Sequence, residues 1–200
     1  RRRYLKSKLP RTDGDVKGAV DSPVSVSRDQ WGVTHIRANS TADCYYALGY
    51  AMAQDRLWQM DYRRRLARGR VAEVLGPAHL KEDRLNRTIG LGRSADLSTY
   101  SEEVEMVLGA FSTGVNTWIE ARSWPVEFDL LEYEPELWSA SDSVACWKWR
   151  WWTLTGRLEN IVVGEAARIG ADCFVIHPGT QGDVRLRTRL AVGVLRRRSG

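Results

Sequence analysis

From Ser40 to about Ala67 apolar side chains recur at helical spacing, and this stretch constrains the fold more than any other. Ser40 or Thr41 stands where an N-cap belongs. Tyr45, Leu48 and Met52 follow at intervals of three and four, and the apolar face then drifts to Leu57 and Met60. The pattern predicts one long helix, or two with a bend near Gly49, broken up afterwards by Gly69 and Gly76. Arg63, Arg64, Arg65, Arg68 and Arg70 crowd its C-terminal end, where the helix dipole favours positive charge. Asp55 and Asp61 lie among Ala, Leu, Trp and Met, and a carboxylate in such surroundings calls for an arginine partner. Six residues apart, the two are separated by about 600° of helical rotation. They therefore do not share a face as a catalytic pair, and both read as structural ion-pair partners.

Other segments organise around this helix. Residues 1–21 are basic and rich in Gly and Asp, with extended and turn signals at Leu9-Pro10 and Asp13-Gly14-Asp15, which predicts an extended arm. Val24 and Val26, then Val33 and Ile36, flank a Gly-containing turn at 28–32 and predict a hairpin. His35 in that hairpin reads as a hydrogen-bonded core histidine rather than a base. Thr99 and Glu102 have capping-box spacing, and Val104, Leu108, Phe111, Val115 and Trp118 trace the one-sided stripe of a second helix. Pro125 and Pro135 bracket a short segment, Phe128 to Leu131. Ser139 or Ser141 then opens a third helix. Its Trp147, Trp149, Trp151 and Trp152 fall on both faces, which predicts enclosure on most sides.

Composition excludes several classes of function. With 43% hydrophobic and 28% charged residues among 200, the chain can bury a core, so global disorder is excluded. No apolar run reaches 18 residues, and Cys146 to Trp152 is interrupted by Lys148 and Arg150. The net charge of +5 resides in the tail: after Asp183 come six arginines (185, 187, 189, 196, 197, 198) and no carboxylate, while the remaining 24 bases balance 25 acids. Polyanion binding would thus rest on that tail alone. Three cysteines, Cys44, Cys146 and Cys173, form no closed disulfide framework and no CxxC pair. The histidines His35, His79 and His177 are scattered, which argues against zinc. GxSxG, P-loop, GxGxxG and HExxH patterns are all absent. Composition and spacing alone describe a soluble, non-catalytic α+β domain.

Two stretches resemble the penicillin acylase family. Val24 to Ala38 is similar to its opening segment, with Thr34 where a proline more often stands. Gly49-Tyr50-Ala51-Met52-Ala53-Gln54-Asp55-Arg56-Leu57-Trp58-Gln59-Met60-Asp61, followed by Arg64, Gly69-Arg70 and Ala72-Glu73, resembles its hallmark helix nearly position for position. Gly114 to Ile119 agrees in order, as does Glu127-Phe128 through Glu134-Pro135-Glu136 to Trp138. Ordered matches run from about residue 9 to 168. The segment from about 170 to 200 aligns with nothing in the family's α chain.

That resemblance implies a mainly helical α chain of a four-layer αββα N-terminal-nucleophile hydrolase, cut from a precursor and paired with a larger β chain. The expected organisation is an arm over 1–21, the α-subunit domain over 22–169 and an Arg-rich end or spacer remnant over 170–200. The family's nucleophile is the first Ser of the β chain, whose own α-amine serves as general base, so no catalytic residue is expected here. The family's pocket helix corresponds to Trp147 through Glu165, and its Met-x-x-Arg-Phe pattern falls on Leu154, Arg157 and Leu158. Leucine at both apolar positions implies a pocket wall without an aromatic face. The resemblance also implies one structural calcium ion, with Glu165 as the α-chain ligand, no organic cofactor, and a periplasmic or secreted location. The expected substrate is a small N-acyl amide: a β-lactam side chain, an N-acyl homoserine lactone or another acylated amine. The alternative is a binding or scaffold protein that keeps the fold without a functional nucleophile chain.

Overall fold

A computed structural model describes residues 2–10 and 13–155. Residues 1–149 form one compact unit; the chain from residue 150 onward is a second, described through residue 155. Helix α1 spans Arg2–Ser7, strands β1 and β2 span Ser25–Arg28 and Thr34–Arg37, and α2 spans Thr41–Arg68. Short α3 (Ala72–Leu75) and a 3-10 turn, Pro77–His79, lead into α4 (Leu80–Ile89). Helices α5 (Glu102–Glu120), α6 (Val126–Leu130) and α7 (Ala140–Thr155) complete the described chain.

The architecture is mainly helical with one two-stranded antiparallel sheet, in which Val26 faces Ile36 and Ser27 faces His35. Asp29 builds the turn between the strands. Its Oδ1 accepts from the amides of Trp31 and Val33, both at 2.9 Å, and Gly32 supplies the left-handed φ of +78°. His35 is exposed and lies 3.2 Å from the Asp29 carboxylate, so the expected core histidine is instead a surface residue of β2 beside the turn. The arm differs as well, because Arg2–Ser7 is helical. This run holds no glycine or proline to break a helix, and Tyr4 and Lys8 anchor it on Asp129.

Helix α2 begins where Ser40 Oγ accepts from the Asp43 amide at 3.1 Å, which makes Ser40 the cap rather than Thr41. It ends at Gly69, whose φ of +63° forms a left-handed C-cap. The bend expected near Gly49 lies at Arg56 instead, with φ −151° and ψ 34°. Gly49 has a different task. A Cβ there would stand 2.1 Å from the Phe111 carbonyl oxygen, and one on Gly114 would stand 1.9 Å from that of Tyr46. The two glycines let the α2 and α5 backbones cross in contact.

Around that crossing lies the larger core: Ala53, Leu57 and Met60 of α2 meet Val115, Trp118 and Ile119 of α5, with Phe128 of α6 and Trp138 from the loop beyond it. A smaller cluster joins Ala67, Ala95, Val144 and Ala145. Helix α5 is capped by Ser101, not Thr99. Leu97 to Tyr100 forms a turn, and the helix starts only at Glu102. Its first turns leave Val104 and Met106 exposed, so the buried stripe is confined to the C-terminal half. Helix α7 is likewise less enclosed than its tryptophans predict. Trp149 packs on the Arg63 guanidinium, but Trp147 is 64% exposed and Trp151 is also exposed.

Candidate functional site

At the C-terminal end of α2 the arginine run folds inward onto carboxylates. Asp61, 1% exposed, accepts from Arg64 Nε at 3.1 Å, Arg65 Nε at 2.8 Å and the Tyr133 hydroxyl at 2.8 Å. Arg64 continues to the backbone oxygens of Glu136 and Leu137. Asp142, at the start of α7, accepts from Arg68 Nε at 2.7 Å and from the Ser139 amide at 2.9 Å, and lies 3.5 Å from Arg64. On the rim, Arg70 bridges Glu73 and Glu136, and Arg65 reaches both. This net ties α2 to α3, the 133–138 loop and α7.

Its electrostatics are those of a scaffold. Burial pushes the Asp61 carboxyl up, but Arg64 and Arg65 outweigh it and hold the group below the usual carboxylate value. Burial, reinforced by the Asp61 charge, raises the Tyr133 phenol. Burial and Asp142 push the Cys146 thiol up to about 12, which keeps it protonated and inert at neutral pH. Every charged group in the net has a partner of opposite sign.

Asp55 sits on the opposite side of the Arg56 bend. Arg28 of β1 grips it with both nitrogens, at 2.9 and 2.7 Å, and also donates to Gln54 at 2.8 Å, fastening the hairpin to α2. The pairing expected for both aspartates is therefore present. The partners from outside the helix, Arg28 for Asp55 and Tyr133 for Asp61, lie far from these carboxylates along the chain and are brought in by tertiary folding.

Of the expected pocket residues, Leu154 lies in the last turn of α7 and is 68% exposed. Arg157, Leu158 and Glu165 lie outside the described residues, as do Cys173 and the Arg-rich end. Among the described residues no group of three His, Cys, Asp or Glu side chains is placed to hold a metal ion, and Cys44 and Cys146 are free thiols. No helix among them is long and apolar enough to cross a membrane.

A helical chain whose paired arginines hold a kinked central helix against a hairpin matches a known acylase fold. The thermostable penicillin G acylase of Alcaligenes faecalis superposes with a TM-score of 0.62 at 30% identity, over 74% of this chain and 82% of that one. The penicillin amidase family model matches residues 23–179, and the chain belongs to that family. Among relatives, penicillin acylase 2 proenzyme of Pseudomonas sp. (strain SE83) is 36% identical over 95% of this chain. Acyl-homoserine lactone acylase QuiP of Pseudomonas aeruginosa is 36% identical over 70%, and penicillin G acylase of Escherichia coli 34% over 60%. The chain spans 27%, 17% and 15% of the lengths of these three.

Proposed function

We propose that this chain is the α subunit of a self-processed acylase that hydrolyses the amide bond of a small N-acyl compound. The observation that carries this reading is the match to a proenzyme along nearly the whole chain, which accounts for only a quarter of that relative's length. The described residues supply an ion-paired scaffold, and this reading places the nucleophile on a companion β chain. There the hydroxyl of an N-terminal Ser attacks the amide carbonyl while its own α-amine takes the proton. The α-ammonium returns that proton to the departing amine as the C–N bond breaks, and water then hydrolyses the acyl ester, restoring the Ser hydroxyl. The four-layer αββα arrangement belongs to the same proposal.

Leu154, Arg157 and Leu158 line part of the acyl pocket in this reading. Leucines at the two apolar positions favour an aliphatic acyl group over a phenylacetyl one. The relatives' names span both penicillin and acyl-homoserine lactone acylases, so the substrate panel pairs a β-lactam with an N-acyl homoserine lactone, each carrying either acyl group. Glu165 is the proposed α-chain ligand for a structural calcium ion, its hard carboxylate oxygen suiting that ion. A periplasmic or secreted location completes the proposal.

The test is to express the full coding sequence and analyse the purified protein by intact mass and N-terminal sequencing. Two chains are expected, the second beginning with Ser, and replacing that Ser with Ala should abolish amide hydrolysis. A single unprocessed chain without hydrolytic activity would instead identify a scaffold protein. Faster turnover of the phenylacetyl amide would overturn the assignment of the two leucines. Calcium content unchanged in Glu165→Gln would remove that ligand.

A further inference from the structure

A cavity of about 490 Å³ opens between the C-terminal ends of α2 and α4, and four arginines line it: Arg68, Arg70, Arg87 and Arg93. Glu73 is the one acidic residue among the lining, and it is already committed to Arg65 and Arg70. Two of the four arginines are accounted for by structure, Arg68 on Asp142 and Arg70 on Glu73 and Glu136. The other two are held less tightly. Arg87 donates its Nε to the Gly69 carbonyl at 2.6 Å, which closes the end of α2, but its terminal nitrogen comes no nearer than 3.7 Å to Glu73 and the side chain is 60% exposed. Arg93 is exposed and has no carboxylate partner among the described residues.

Four guanidiniums against one carboxylate leave the lining positive, and the exposed ends of Arg87 and Arg93 keep donor capacity beyond the contacts they make within the fold. Excess positive charge excludes a cation. The planar fork of arginine matches the paired oxygens of an oxyanion. We propose that this cavity binds a small free oxyanion of the phosphate or sulfate type, held by Arg87 and Arg93. The site is separate from the acylase reading and stands whether or not that reading holds.

The probe is inorganic phosphate, titrated calorimetrically into the purified protein with any companion chain retained, against chloride at matched ionic strength. Saturable binding is expected, together with a rise in the thermal unfolding midpoint that grows with phosphate concentration. Because Arg93 has no structural partner to lose, Arg93→Gln should fold normally and weaken phosphate binding by about tenfold. Arg84→Gln, on the exposed face of α4 outside the cavity, should leave binding unchanged. Sulfate should compete with phosphate. Absence of saturable binding in the unmodified protein would overturn the proposal, as it would if a carboxylate of a companion chain filled the cavity. Equal binding by Arg93→Gln would overturn it too.

Discussion

Asp61 is the residue on which the end of α2 depends, because two buried guanidiniums and a phenol converge on one carboxylate. Removing a buried charge strands its partners, and such losses cost about 3–5 kcal/mol. Asp61→Ala should therefore lower stability by that order, read as a drop in the chemical-denaturation midpoint. Tyr133→Phe removes one hydrogen bond to the same carboxylate and should cost about 1–2 kcal/mol. Acidity probes the pair without mutation. The folded state holds Asp61 below its ordinary value of 3.8, so the unfolded chain binds that proton more tightly. Stability from this group is complete above about pH 5 and declines as pH falls through 3.8 and then through the folded value. Unfolding midpoints measured from pH 6 to pH 3 should fall along that limb, and the fall should be shallower in Asp61→Asn. A limb unchanged in the mutant would mean that other carboxylates govern it. That Asp55 and Asp61 are paired is legible from sequence, because carboxylates amid Ala, Leu, Trp and Met must be neutralised. Which groups neutralise them is legible only in part. Arg64 and Arg65 are one helical turn away, whereas Tyr133 and Arg28 are brought in by tertiary folding.

Periodicity locates helices well and misplaces their irregularities. Helices α2, α5 and α7 and the hairpin are legible from spacing, and α2 and the C-terminal half of α5 bury a face with the helical period. Helix α4 escapes notice because Leu80, Leu85 and Ile89 give too few apolar residues, and its identity rests on Asp83, which reaches back to the amides of Val71 and Ala72 at 2.9 and 2.7 Å. Gly49 illustrates the other failure. A glycine within a helix suggests a bend, yet here it supplies clearance for a neighbouring carbonyl. Gly49→Ala and Gly114→Ala each drive a methyl into backbone, and overpacking of this kind typically costs about 1–3 kcal/mol or more. Both variants should lower the urea midpoint strongly. The double variant should lose less than the sum, because the first methyl already forces the helices apart. Full additivity would show that the two glycines do not serve one crossing.

At the scale of the whole molecule, the described residues leave large apolar side chains in water that a self-sufficient domain would cover. Trp31 is 81% exposed, Trp147 64%, and Val26, Val33 and Leu154 are exposed as well. Polar residues alone do not cover a protein's surface, so single exposed leucines mean little, but exposed tryptophans are uncommon. A two-stranded hairpin is also marginal without further strands or packing on its faces. These features follow if a companion chain completes the structure. Expressed alone, the 200-residue chain should bind an apolar dye and self-associate with rising concentration. Co-expressed with the rest of its precursor, it should be recovered as a soluble pair whose tryptophan fluorescence is less open to iodide quenching. Trp147→Asp should reduce recovery of the pair while leaving the yield of the isolated chain unchanged, since that ring makes little contact within its own fold. If the isolated chain stays monomeric, ignores the dye and shows the same quenching as the pair, the exposed tryptophans are simply surface residues and the companion chain docks elsewhere.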